Sequence, residues 1–365
     1  MSKKKENSNT KRVKVRRADR FKPIKKALVK AYTAPLFLKN MYGITKCYES
    51  GIFQVGEKIY NRVYKFDYSS LDNKDDVFDI LRSYDFEYRF YYLSDSVYLS
   101  VQIKSDNLQD ASFDFDAIEK VIFKKLSNRG VKLIPLDIEN RFRLVHKLSN
   151  KKNINYNPNV QTYVKDVADW KQDFELDNFK DCFNKLELGN GCYVSYYIQK
   201  FGNNINELLN ELVKLDGVEN LVIQHSPVSD NAIYEWFHHN YMGCDNELRH
   251  LKKKDTNLYE ILTDPSRRDS RSYSMVAINI LVYVEDEKNL DNLNSKLNFL
   301  ISRYDAKINV QVGDMKKVFM DSFLLGKWDK PQTRTVKNNV SRDAFLFFIR
   351  NLDSSDDEID MNLFL

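Results

Sequence analysis

Apolar residues first fall into regular order at Phe21, Ile24, Leu28 and Tyr32, spaced by three and four with Lys22, Lys25, Lys26 and Lys30 between them. This spacing predicts an amphipathic helix that starts near Pro23, a favourable first helical residue, and stops at Pro35, which lacks an interior donor. Residues 1 to about 20 are polar, charged and aperiodic, and are expected to be disordered. Between Tyr48 and Phe66 the spacing of Ile52, Val55, Ile59, Val63 and Phe66 would also suit a helix. Gly51, Gly56 and the β-branched and aromatic enrichment point instead to short strands around a glycine turn. Tyr88 to Ile103 reads as strand, and Asp116 to Leu126 as a helix ended by Asn128 and Gly130.

Residues 149–160 form the clearest loop and a domain boundary. Beyond it, Cys192 to Lys200 reads as strand, Ile205 to Leu215 as helix, Val218 to His225 as strand and Ser229 to Lys254 as a long helix. Residues 263–271 interrupt the pattern. Ser274 to Val284 is then strand, Leu290 to Ser302 helix, Ala306 to Val312 strand and Asp314 to Leu324 helix or turn, and the apolar run Ala344 to Ile349 reads as a buried strand. The expected fold is α+β: two related strand–helix–strand–helix units packed on one core, preceded by a smaller β-rich subdomain. The expected boundaries are a basic head over 1–38, the β-rich subdomain over 39–148, the tandem-unit domain over 161–349 and an acidic tail over 350–365.

Composition changes this picture in one respect. Residues 1–30 hold 13 Lys and Arg against Glu6 and Asp19, a charge of +11, which leaves −6 on the other 335 residues of a chain whose net charge is +5. A basic head therefore precedes a mildly acidic body, so the overall charge does not argue that the body binds nucleic acid. No stretch approaches the roughly 20 apolar residues of a membrane-spanning helix. The four cysteines, Cys47, Cys182, Cys192 and Cys244, lack C-x-x-C spacing and read as separate reduced thiols of a cytosolic protein.

Candidate chemistry is sparse. Neither G-x-x-x-x-G-K-[ST] nor G-x-G-x-x-G occurs, and Gly326-Lys327-Trp328 lacks the earlier glycine and the hydroxyl that a phosphate loop needs. His238, His239, Cys244 and His250 match no common zinc spacing and would point in different directions around a helix. Asp75 and Asp76 fit the acidic first turn of a helix, and Asp114 with Asp116 has no catalytic context. No cofactor is expected, and no catalysis by this chain alone.

The head has three readings: phosphate neutralisation on nucleic acid, adhesion to an anionic membrane surface, or a solvating tail whose stripe packs on the body. An apolar face suits a membrane, which nucleic-acid tails do not require. The membrane-binding set is Arg16, Arg17, Phe21, Lys22, Ile24, Lys25, Lys26, Leu28, Lys30 and Tyr32.

Tyr48 to Phe66, with Gly-Ile-Phe-Gln-Val-Gly-Glu-Lys-Ile-Tyr followed by Tyr-Lys-Phe, resembles the opening strands of conjugal transfer ATPases of type IV secretion systems, in the VirB-four/TraE-like branch of Gram-positive conjugative elements. Three later segments are similar to the same family. They are Cys192 to Met242, Ser266 to Val284 with Arg268-Asp269, and Gly326 to Phe348 with Thr333-Arg334-Thr335 before an apolar stretch that in the family leads into the motor. Residues 67–110 depart from the family's pattern. The family's phosphate-binding loop and RecA-like motor lie C-terminal to the resembling region, and this sequence stops at Leu365. The resemblance thus implies the non-catalytic, docking half, without a RecA-like motor. It also implies a location peripheral to the cytoplasmic face of a bacterial membrane and inner-membrane components of a conjugation channel as partners. A motor supplied in trans is the alternative, and nucleic acid the less favoured partner.

Overall fold

The computed structural model describes residues 31–33, 43–68, 74–82, 87–93, 96–149, 179–188, 191–227, 256–263, 273–313, 315–322 and 334–352, together with Arg249, Lys252 and Lys253. Three short strands open the chain: β1 (Ala31–Thr33), β2 (Ile44–Tyr48) and β3 (Phe53–Val55). The first half continues with β4 (Ile59–Tyr68), α1 (Lys74–Arg82), β5 (Glu87–Leu93), β6 (Ser96–Lys104), α2 (Leu108–Ile118), β7 (Val131–Pro135) and α3 (Ile138–Ser149). The second half holds β8 (Phe179–Asp181), β9 (Leu186–Leu188), β10 (Gly191–Lys200), α4 (Ile205–Leu212), β11 (Val218–Pro227), α5 (Thr256–Thr263) and β12 (Tyr273–Val284). It ends with α6 (Lys288–Arg303), β13 (Lys307–Val310), α7 (Met315–Asp321), β14 (Arg334–Lys337) and α8 (Asn338–Leu352). The α+β class stands. Among the described residues all the strands belong to one antiparallel sheet, ordered β1-β2-β3-β4-β6-β5-β11-β12-β10-β9-β8, with β7 on β4, β13 on β10 and β14 on β12.

Local chemistry accounts for the elements. β4, β6, β10 and β12 bury alternating β-branched and aromatic residues on two apolar faces, which suits a sheet covered on both sides. α2 starts on Asn107, whose side chain accepts from the backbone N–H of Asp110. It runs on through a π turn (Glu119–Phe123) and a last turn (Lys124–Ser127), and Gly130 with φ 82° turns the chain out of it. At the β2–β3 turn Gly51 (φ +77°) is required twice over, because a Cβ there would also lie 1.8 Å from the Leu136 carbonyl oxygen.

The ladders reveal a repeat that the expected boundaries did not contain. The run β4–α1–β5–β6–α2–β7 places its strands in the order β7-β4-β6-β5, and β10–α4–β11–β12–α6–β13 places its own as β13-β10-β12-β11. Both follow the β-α-β-β-α-β, ferredoxin-like plan. Equivalence holds residue by residue. Tyr64 pairs with Leu99 on one side and Pro135 on the other, and Tyr196 pairs with Ile280 and Val310. One ladder further, Leu99 pairs with Phe90 and Ile280 with Leu221. Tyr91 and Val222, the next residues along, therefore hold equivalent places, and they pair with each other across the β5–β11 seam. An antiparallel pair of equivalent residues is what a local twofold axis requires.

α1, α2, α4, α6 and α8 share one core face, with Phe78, Phe115, Leu209, Leu297 and Phe347 packed over Tyr64, Leu99, Leu221 and Ile280. α3 and α7 cover the other face through Ile138 and Phe142 and through Met315 and Phe319. α8 breaks the symmetry by lying over the seam: Phe345 meets Phe78 and Phe90 at 5.6 and 5.0 Å, and Phe347 meets Tyr92 at 5.5 Å.

Several expectations need correction. Tyr32 does not lie on a helical stripe; it lies in β1 and pairs with Cys47. Ala344 to Ile349 is helical, part of α8, because the residues that bury (Ser341, Ala344, Phe345 and Phe347) follow a helical stripe; a short contiguous apolar run does not reveal this by itself. Tyr88 to Ile103 is a hairpin of two strands, and α2 begins eight residues before Asp116. The β5–β11 pairing carries one sheet across the expected 149–160 boundary, most of which lies outside the described residues, as does most of the expected helix Ser229 to Lys254.

Candidate functional site

The seam is where polar chemistry converges. β5 and β11 are apolar strands interrupted by Arg89 and Gln224, which face one another in register. Arg89 donates from Nε and Nη2 to Gln224 Oε1 at 3.2 and 2.9 Å, and both residues are buried. This charge-assisted pair across the seam ties β5 and β11 in one register.

One residue along, on the helical face, His225 stacks on Tyr88 at 4.6 Å and lies edge-on to Phe78 at 5.9 Å. Its Nε2 is 2.9 Å from Ser274 Oγ. A histidine within reach of a serine hydroxyl has the form of a nucleophile and its base. Its environment gives it another role. Both groups are buried, and burial, reinforced by the Arg82 charge, lowers the His225 pKa to about 3. A base that weak leaves the serine proton in place at neutral pH, so the pair acts as a core hydrogen bond under α1 and α8.

A second polar centre lies on the opposite face. Arg141 of α3 is buried; its Nη1 donates to the Gly51 and Asn61 carbonyls at 2.8 and 3.3 Å, and Nη2 to Asn61 Oδ1 at 2.7 Å. Its guanidinium sits 3.7 Å over the Phe53 ring. Burial lowers its pKa to about 9, leaving it protonated at neutral pH, while burial pushes the neighbouring Cys47 thiol far up, so that sulfur stays protonated. Cys47, Cys182 and Cys192 are free thiols.

The outer rim of the second unit is apolar instead. Phe183, in the β8–β9 turn, is 73% exposed and Val312 54%, and the Gly313 N–H donates to the Phe183 carbonyl at 2.8 Å, which holds the two segments together. Among the described residues no group of three metal-ligating side chains converges, and no helix is long and apolar enough to cross a membrane.

Of the membrane-binding set, Arg16, Arg17, Phe21, Lys22, Ile24, Lys25, Lys26, Leu28 and Lys30 lie outside the described residues, as do His238, His239, Cys244 and His250. Asp75 and Asp76 do occupy the first turn of α1. Arg89, Gln224, His225, Ser274 and Arg141 were not singled out from the sequence. The available signal was a lone polar residue inside an apolar strand, as in Tyr88-Arg89-Phe90.

No family model and no curated protein matches the chain. Among solved structures, a berberine bridge enzyme variant, a reticuline dehydrogenase, aligns at 10% identity over 74% of this chain and 45% of that one, with a TM-score of 0.25. The chain thus spans less than half the length of that protein, and a similarity this low carries no argument about fold or activity.

Proposed function

We propose that this chain is the docking and assembly half of a conjugal transfer ATPase, a module that seats a motor against inner-membrane components of a type IV secretion channel. The observation that carries the reading is the placement of α8. In the resembling family, the stretch matching Gly326 to Phe348 leads into the motor. Here that stretch enters β14 on β12 of the second unit and then α8, which packs against α4 of that unit, meets the first unit through Phe345 and Phe347, and pairs Arg342 with Asp79 of α1 at 3.1 Å. A segment anchored on both units couples whatever follows it to the whole sheet rather than to one half. The other resembling segments supply β3 and β4, β10 to β11, and β12, and β12 hydrogen-bonds to β10, β11 and β14. The units of the body are then two related β-α-β-β-α-β modules, and the basic head supplies affinity for an anionic bilayer.

Co-sedimentation separates this reading from nucleic-acid binding. The shortened chain should begin at Ala31, because removing residues 1–38 would also remove β1 from its pairing with β2. The expected result is pelleting of the full chain with phosphatidylglycerol vesicles, weakened by salt and lost in the shortened chain. A full chain that ignores these vesicles but binds duplex DNA through residues 1–30 overturns the membrane role.

A further inference from the structure

The local twofold makes the two outermost strands comparable position by position. Pro135 and Val310 are equivalent, opposite Tyr64 and Tyr196, and the next residues, Leu136 and Gln311, donate inward to the Val63 and Ser195 carbonyls at 2.9 and 2.8 Å. Successive residues of a strand alternate direction, so Pro135 and Val310 turn their backbone nitrogens away from the sheet. β7 thus presents a proline with no donor, a device that blunts an edge against strand addition. β13 presents valine, and its outward groups are the N–H and C=O of Ile308 and Val310. Among the described residues β13 pairs with β10 alone. Apolar surface gathers at the same edge, where Val310 is 37% exposed beside Val312 and Phe183.

We propose that β13 is a self-association edge, pairing antiparallel with β13 of a second copy about an axis at Asn309. The segment Ala306-Lys-Ile-Asn-Val-Gln-Val312 alternates apolar and polar residues and has the same pattern in both directions about Asn309. In that register Ala306 meets the partner's Val312 and Ile308 meets the partner's Val310, two β-branched pairs and two flanking apolar pairs in one row. On the other face Lys307 meets the partner's Gln311 and Asn309 meets the partner's Asn309, so no like charges oppose. A slip by one residue sets Ile308 against the partner's Asn309 and destroys both rows. Ile308 and Val310 then exchange their outward backbone bonds with the partner's Val310 and Ile308, extending the sheet through a twofold as β5 and β11 already extend it within the chain.

Sedimentation velocity on the full chain over a concentration series, with three variants, tests this. Val310→Pro copies the residue of the equivalent edge and removes an outward donor; it is expected to weaken the dimer by tenfold or more while circular dichroism stays unchanged. Asn309→Cys places two sulfurs in directly opposed, non-hydrogen-bonded positions, where a disulfide fits. Mild oxidation should therefore give a crosslinked dimer, whereas Lys307→Cys, with the same native cysteines, should not crosslink above the wild-type level. A wild-type chain that stays monomeric overturns the proposal. So does a dimer that Val310→Pro leaves intact, or one in which Asn309→Cys crosslinks no better than Lys307→Cys. If Val310→Pro fails to fold, the two cysteine variants decide the matter.

Discussion

Arg141 offers the sharpest test of how the first unit is held together. Its guanidinium makes the three hydrogen bonds described above, at 2.8, 3.3 and 2.7 Å, and lies on Phe53. Each charge-assisted bond contributes roughly 1.5–3 kcal/mol, and burying the charge takes back several kcal/mol. Arg141→Met removes both terms but strands the Gly51 carbonyl and Asn61 Oδ1 in the core, at about 1–3 kcal/mol each, so the net loss is expected near 3–5 kcal/mol. The fold itself does not demand a charge here. At the equivalent strand position the second unit carries Tyr193 in place of Asn61, packed on Phe319 of α7 at 4.7 Å. Arg141→Met combined with Asn61→Leu removes the donor and the stranded Oδ1 together but also the Asn61 Nδ2 bond to Ser100 Oγ at 2.6 Å, so the double variant should be less destabilised than the sum of the two single variants by about 1–2 kcal/mol. Urea unfolding followed by circular dichroism measures both. A single variant as stable as wild type, or a double variant that is simply additive, refutes the reasoning.

The pH dependence of stability should carry a signature of His225. Its folded pKa is lowered to about 3 from an ordinary 6.5, so its contribution is complete above pH 6.5 and is lost as pH falls toward 3, because only the unfolded chain takes up the proton. Between pH 6.5 and 5 the stability advantage of wild type over His225→Gln should shrink by about 2 kcal/mol; a constant difference contradicts the buried neutral ring. Gly51→Ala, which drives a Cβ to 1.8 Å from the Leu136 oxygen, should lower the thermal midpoint well below that of Gly56→Ala. Gly56 shares a positive φ but faces open space, so only backbone strain of about 1–2 kcal/mol applies there. Phe142→Ala on α3 and Phe319→Ala on α7 should each cost about 3–5 kcal/mol and add within about 0.5 kcal/mol. Strong coupling between them would contradict two separately packed helices.

Much of the second half was legible from the sequence, because its strands and helices are bounded by plain signals. Gly191 and Lys200 bracket one strand, Gly217 precedes the next, and Leu293, Leu297 and Ile301 mark a helical stripe. Harder to read was which strands adjoin. Pairing of β5 with β11 joins residues about 130 positions apart, and nothing local in Tyr88 to Leu93 specifies a partner beyond an edge of suitable pattern. The repeat was hidden for a related reason. Equivalent positions hold different chemistry, Asn61 against Tyr193 and Pro135 against Val310, while what is shared is register and direction. α8 was misread because Phe345-Leu-Phe-Phe348 is apolar at every position, and only its packing over the seam selects the helix. Of the candidate chemistry, the buried polar pairs lay on separate strands, or on a strand and a helix, and left only isolated polar letters in the sequence.

The most direct test of the docking role is DNA transfer between cells. If the proposed function holds, then in a donor carrying a conjugative element that encodes this chain, deletion of its reading frame should reduce transfer to background, and the full chain supplied in trans should restore it. The chain beginning at Ala31, which keeps β1 but lacks the basic head, should restore it poorly. Transfer that proceeds unchanged without the reading frame contradicts the proposed function.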